Sequence, residues 1–284
     1  MHSRLIHACA LVAMVVAAAN WSSPGAAGQS SYDVYAVRFA HVLYPVASLV
    51  RGAEKGRTID IAFTFWVMRA PGRVVLLDAG FYREKFLARW RPRDFVRPSD
   101  ALQRGLGIGP DAVTDIVISH THWDHADGAD LFPRATIWIQ KDEYEYYIGS
   151  AGEVLRTGGV DADDAKMFAA LNDAGRVRLI DGDAKEIVPG IRVFTGGKHT
   201  YASQYVGVQS SAGVIVLASD NAYLYENLEG RLPIAQTLDA GANLNAQDRM
   251  RAMAAAPSLV IPGHDPAVFA RFPAVAAGVV RITR

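Results

Sequence analysis

The sequence predicts a layered α/β sandwich. Three observations point there. Apolar runs with alternation and β-branched content recur along the chain, and segments with helical spacing are fewer. The two kinds of segment mix without strict strand–helix alternation. The 284 residues, half of them apolar, suit one large domain or two small ones.

The N-terminus differs from the rest. His2 and Arg4 give a weakly basic start, Leu5 to Ala19 form an apolar run, and Pro24, Gly25, Ala26 and Ala27 follow. That order predicts a secretory signal peptide over residues 1–27 and a periplasmic or secreted protein. An uncleaved anchor is the alternative, but the run is short for a bilayer, so no stable membrane insertion is expected after cleavage. The only cysteine, Cys9, lies inside this segment. The remaining chain therefore has no thiol nucleophile, disulfide framework or cysteine-rich zinc site.

Strands are predicted at Val34–Phe39, Ile61–Val67, Arg73–Leu77 (ending in Asp78-Ala79-Gly80) and Ile116–Ile118. Further strands are predicted at Ala135–Ile139, Val177–Ile180, Ile191–Phe194, Tyr205–Gln209, Gly213–Leu217 and Leu259–Ile261. Helices are predicted at Asp142–Ile148, Ala162–Asp173 and Asn245–Ala256, with Asp161 capping the second and Gly175 ending it. Residues 80–100 carry Phe81, Tyr82, Phe86, Trp90 and Phe95 among arginines. They read as a helix and loop covering one face of the sheet, with a lid or a subunit contact in a homodimer as alternatives.

Lys plus Arg and Asp plus Glu both number 29, so no overall field favours nucleic acid or an acidic membrane. The stretch His120-Thr121-His122-Trp123-Asp124-His125 is the sharpest signal. If the strand at Ile116 continues, His120 and His122 project to one side and can grip one ion. A turn into a helix would then aim Asp124 and His125 at a second point. His199, Asp220 and His264 each follow a strand, where a site at a sheet edge would need them, and the two oxygens of Asp220 could bridge two ions. His41 reads as a hydrogen-bonded structural residue and Asp127 as a solvated residue beside the site.

This pattern resembles the metallo-β-lactamase superfamily over nearly the whole chain after the leader. The resemblance implies an αββα sandwich of two mixed sheets flanked by helices, in a single domain over residues 28–284. By position, His120, His122 and His199 would bind one divalent ion, Asp124, His125 and His264 a second, and Asp220 would bridge them. Asp78, in the strand-ending Asp-Ala-Gly, would orient a ligand without touching metal. Zinc is the first choice of metal, with iron, manganese or cobalt as alternatives.

Asp220 stands where the cysteine-dependent lactamases carry Cys, and other periplasmic β-lactamases usually lack it. Too short a tail follows His264 for the glutathione-binding extension of glyoxalase II. The lactonase-like branch, which includes N-acyl homoserine lactonases, remains. Its implied chemistry is attack on a lactone or ester carbonyl by a metal-bridging hydroxide. Tyr223 would aid the oxyanion, and Asp124 or Asp220 would pass a proton to the leaving group. Tyr225 is a second tyrosine candidate. Thr200-Tyr201-Ala202-Ser203 departs from the usual Thr-Pro-Gly after this histidine, and Asp127 from the usual Gly; both bear on the identity of the substrate. Phe63 and Phe65 share a strand face and read as core rather than pocket wall. The alternatives are a β-lactamase, an organophosphate or aryl-ester hydrolase, and a metal-binding module without turnover.

Overall fold

The computed structural model describes residues 31–283, so the leader expected at residues 1–27 lies outside them. Eight strands form the larger sheet. They are β1 (Asp33–Pro45), β2 (Thr58–Ala70), β3 (Arg73–Leu77), β4 (Asp115–Val117), β5 (Thr136–Gln140), β6 (Val177–Ile180), β12 (Ala274–Ala276) and β13 (Val279–Arg281). Their order is β12-β13-β1-β2-β3-β4-β5-β6, antiparallel around β1 and β2 and parallel from β3 to β6. The smaller sheet holds β7 (Lys185–Val188), β8 (Ile191–Thr195), β9 (Gln204–Ser210), β10 (Gly213–Ser219) and β11 (Val260–Pro262). Its order is β11-β10-β9-β8-β7, with only β10 and β11 parallel. Both sheets are therefore mixed, as the resemblance implies.

Eight α-helices accompany them among the described residues: α1 (Glu84–Trp90), α2 (Pro98–Leu106), α3 (Trp123–Ala126), α4 (Lys141–Tyr147), α5 (Ala162–Asp173), α6 (Tyr225–Gly230), α7 (Ala240–Met253) and α8 (Val268–Arg271). None is long and apolar enough to cross a membrane.

Side-chain alternation builds two apolar layers from one set of strands. On β2, Ile61, Phe63, Phe65 and Val67 face the layer under α1, α2, α4 and α5, while Trp66 and Met68 face the layer shared with the smaller sheet. On β3, Leu76 goes one way and Val75 and Leu77 go the other. Both faces are covered, which is why β2 and β10 read as near-continuous apolar runs. Gln204 pins the sheets together. Its backbone N–H donates to Ser119 O at 2.8 Å and its side-chain amide donates to Ile118 O at 2.8 Å.

The structure changes several predicted boundaries. β1 and β2 each run thirteen residues, far beyond the predicted segments, with a register shift at Arg38/Ala40. The helix predicted from Asn245 starts at Ala240, because the Asp239 side chain accepts from Ala242 N and caps it there. α1 is the helix expected within residues 80–100, whereas β7, β12, β13, α2, α6 and α8 have no counterpart among the predicted strands and helices. Within residues 80–100, Phe81 and Phe86 are core residues, so the covering role holds for them.

Candidate metal centre

The centre lies where β3, β4, β8, β10 and β11 end, which gathers loops from both sheets at one edge. β4 stops at Val117, so His120 and His122 do not lie on an extended strand as expected. They occupy the loop that follows, and His122 is the residue before α3. α3 then re-aims Asp124 and His125. Asp78 (φ 64), Lys198 (φ 59) and Ser219 (φ 46) have left-handed backbone, which costs free energy in a residue other than glycine. Each sits at or beside a residue of the centre.

The predicted side chains meet in two groups. His120, His122, His199 and Asp220 form one, and Asp124, His125 and His264 the other; within each, the ligand atoms lie within 4.8 Å of one another. His122 Nδ1 is 3.0 Å from both His120 Nε2 and His199 Nε2. Asp220 Oδ2 lies 3.3 Å from His199 Nε2 and 3.7 Å from His120 Nε2. Its Oδ1 lies 3.0 Å from His264 Nε2 and 3.3 Å from His125 Nε2. Asp124 Oδ2 is 3.5 Å from His125 Nε2 and 3.8 Å from His264 Nε2.

The outward nitrogen of every imidazole meets an oxygen. His125 Nδ1 is 2.8 Å from Asp78 Oδ2, His264 Nδ1 is 2.9 Å from Ala62 O, and His199 Nδ1 is 2.8 Å from Gln236 O. His120 Nδ1 is 2.9 Å from Ser119 Oγ, whose own proton goes to Asp78 Oδ2 at 3.0 Å. His122 is reversed, with Nε2 3.1 Å from Gly158 O. These acceptors place the N–H of each ring outward and leave the lone-pair nitrogen facing inward. Asp78 thus orients His125 directly and His120 through Ser119, and Ser219 Oγ also donates to it at 2.9 Å.

This donor set fits two divalent ions. Five imidazole nitrogens and two carboxylates converge there. Burial pulls His125 and His264 down, but Asp220 and the neighbouring carboxylates outweigh it and hold both above the ordinary histidine range, a positive charge that divalent ions would replace. His125 Nε2 and Asp220 Oδ1 are buried with no hydrogen-bond partner in the structure. Such orphaned groups are costly unless something takes their lone pairs. Burial, then the neighbouring imidazoles, hold His120 well below the ordinary histidine range. Burial likewise brings His199 down to about 4. Burial pushes Asp220 up, but His125 and His264 overcome it and hold this carboxyl well below the usual range.

A cavity of about 370 Å³ opens onto the centre. Asp124, Asp220, His122 and His264 line its floor, and Tyr44, Phe63, Phe86, Trp90 and Trp123 its apolar wall. Phe63 is therefore both core and wall, whereas Phe65 is core alone. Trp90 and Phe86 put part of residues 80–100 at the cavity. Tyr223 lines it as well, with its hydroxyl 3.2 Å from His199 Nδ1. That ring proton already serves Gln236 O, so the phenol O–H is free to turn to the cavity. Burial, then Asp220 and Asp124, push the Tyr223 phenol well above its ordinary value, so it stays a donor. Tyr225 packs instead in the apolar cluster around the smaller sheet, under Arg271, and does not line the cavity.

Asp127 is not solvated. It is fully buried, pairs with Arg83, and accepts from Tyr82 N at 2.7 Å and Arg83 N at 3.1 Å. His41 has the expected structural role, with its ring nitrogens 2.7 Å from Asp60 and 2.9 Å from Asp94. Sequence reasoning missed Glu143, a buried carboxylate behind the centre. Burial raises its pKa, and donors from Thr200, Ala202 and Thr121 pull it back. No local spacing marks it.

A family model for the metallo-beta-lactamase superfamily matches residues 64–264. The N-acyl homoserine lactonase AiiA of Bacillus thuringiensis subsp. kurstaki is 27% identical over 161 residues, 56% of this chain. The chain spans only 58% of the length of this curated relative. The structure of an N-acyl homoserine lactone hydrolase with N-hexanoyl-L-homoserine bound at its catalytic metal centre superposes with a TM-score of 0.68 at 21% identity, covering 86% of this chain and 97% of that one. AidC, a dizinc quorum-quenching lactonase, superposes with a TM-score of 0.62 at 15% identity, covering 90% and 98%.

Proposed function

The chain belongs to the metallo-beta-lactamase superfamily, and from that premise we propose that it is a dinuclear metal-dependent hydrolase opening lactone or related ester rings. The observation that carries this reading is Asp220. Its two oxygens face the two ligand groups separately, beside a phenol donor and an apolar-walled cavity. His120, His122 and His199 would hold one ion, Asp124, His125 and His264 the other, and Asp220 both. When bound, the pair of ions supplies Lewis acidity and lowers the pKa of water toward neutrality.

The chain's own groups supply the rest. Tyr223 keeps its proton and offers it to the oxygen on which charge develops; one such donor is worth roughly 3 kcal/mol. Asp124, partly accessible at the cavity floor, accepts a proton and can return it to the leaving alkoxide. The wall of Tyr44, Phe63, Trp90 and Trp123 takes the apolar part of a small-molecule substrate and excludes water there. In a lactone the leaving oxygen stays tethered, so a single hydroxy acid leaves the site. Zinc is the proposed metal, and the basic, then apolar, then small-residue order of residues 1–27 supports export to the periplasm or medium.

The test is a substrate panel of acyl homoserine lactones, nitrocefin and paraoxon with metal-loaded protein, combined with elemental analysis. Lactone opening that disappears with a chelator and returns with Zn(II) or Co(II) is expected. Full activity after complete metal removal would sink the reading.

A further inference from the structure

Glu143 is a buried carboxylate that this chemistry does not use. It sits on α4, and its two oxygens reach two different loops. Oε1 accepts from Thr121 N at 3.2 Å, and Oε2 accepts from Ala202 N at 2.7 Å. Thr121 stands between His120 and His122, and Ala202 is close after His199. Thr121 Oγ1 is 3.2 Å from Oε1 and 2.7 Å from Gly159 O, so its single proton has two acceptors. One turn along the same face of α4, Tyr147 Oη accepts from Tyr201 N at 3.3 Å. The helix therefore grips both histidine loops from behind, one from each sheet.

The other half of the centre is held differently. His125 is fixed by Asp78 and His264 by Ala62 O. None of the hydrogen bonds of Glu143 goes to those residues. A buried carboxylate is costly unless N–H or O–H groups satisfy it, and the groups that satisfy Glu143 belong to the loops of three imidazoles.

We propose that Glu143 is a positioning residue for the His120–His122–His199 half of the centre, setting the spacing of its two loops. This rests on the dinuclear reading above. Ion retention in that half depends on Glu143, and retention in the Asp124–His125–His264 half does not.

Glu143→Gln keeps the shape but turns one oxygen into an N–H donor, which must then face a loop N–H. The test loads wild-type protein and this variant with Zn(II), dialyses both against graded chelator, and counts ions per chain by elemental analysis. Co(II)-loaded samples give a parallel visible spectrum. The wild type is expected to hold two ions. The variant should release one of them at roughly tenfold lower chelator, the scale of an outer hydrogen-bond partner, and keep the second as the wild type does. One Co(II) environment should change and the other persist. Release of both ions together, or release identical to wild type, overturns the proposal. If Glu143→Gln fails to fold, Thr121→Val decides by the same count, since it removes the hydroxyl contacts to Glu143 and Gly159 O and leaves both loop N–H contacts of Glu143 in place. A wild type that never holds two ions overturns the dinuclear reading itself, which separates the two failures.

Discussion

Asp220 Oδ1 lies 3.0 Å from His264 Nε2, on the far side of the carboxylate from the 3.3 Å approach of Oδ2 to His199 Nε2. One side chain thus belongs to both halves of the centre, and each half loses an oxygen or a charge if it changes. Asp220→Asn should leave a folded protein with fewer than two ions per chain. Activity should fall by more than about 100-fold, beyond the usual effect of an outer partner. Circular dichroism with elemental analysis checks this; two retained ions would argue against bridging.

Tyr223 separates binding from turnover. Its hydroxyl sits at the cavity without being needed to orient His199, because Gln236 O already takes that ring proton. Tyr223→Phe should keep both ions and lower kcat by about 100-fold with little change in KM, as for a lost oxyanion donor. Unchanged kinetics across good substrates would remove Tyr223 from the reaction.

Gly263 has no room for a side chain. A Cβ there would lie 2.8 Å from Ser219 O and 3.0 Å from Asp220 Oδ1. Gly263→Ala should push the Ser219–Asp220 turn away, lowering stability by about 1–3 kcal/mol and weakening ion retention together. Thermal melts and metal counts on the same samples check both effects.

Asp164 sets a pH dependence through its contacts with Arg83 and Asp127. Burial, then the adjacent Asp127 carboxyl, pushes its pKa from 3.8 up to about 9. Between those values the folded chain keeps a proton that the unfolded chain releases, so stability falls as pH rises through the window. Asp164→Asn removes this contribution while Arg83 and Asp127 stay paired. Its urea midpoint should decline less than that of the wild type between about pH 6 and about pH 9. Parallel declines would show that Asp164 is ionised in the fold.

The histidines of the centre were legible because imidazole at strand ends, in a local His-x-His-x-Asp-His cluster, has few other uses. The class of fold was legible because apolar, β-branched runs mark β1 to β3 even where burial on both faces erases strict alternation. Other features left no local trace. The acceptors that orient His264, His199 and His122 are the carbonyls of Ala62, Gln236 and Gly158, which any residue type could supply. Asp127 was misread because its partner, Arg83, is 44 positions away in sequence. Glu143 looked like an ordinary residue in the first turn of a helix; only the docking of two distant loops makes it an anchor.

His120 and His122 come from the larger sheet and His199, Asp220 and His264 from the smaller, in a stretch, residues 31–283, that contains no cysteine. Cations seated among them would rivet the two layers as disulfides do in proteins that carry them. Thermal tolerance should then climb with the logarithm of free cation concentration, so scarcity in the surroundings would soften the whole scaffold as well as silence it.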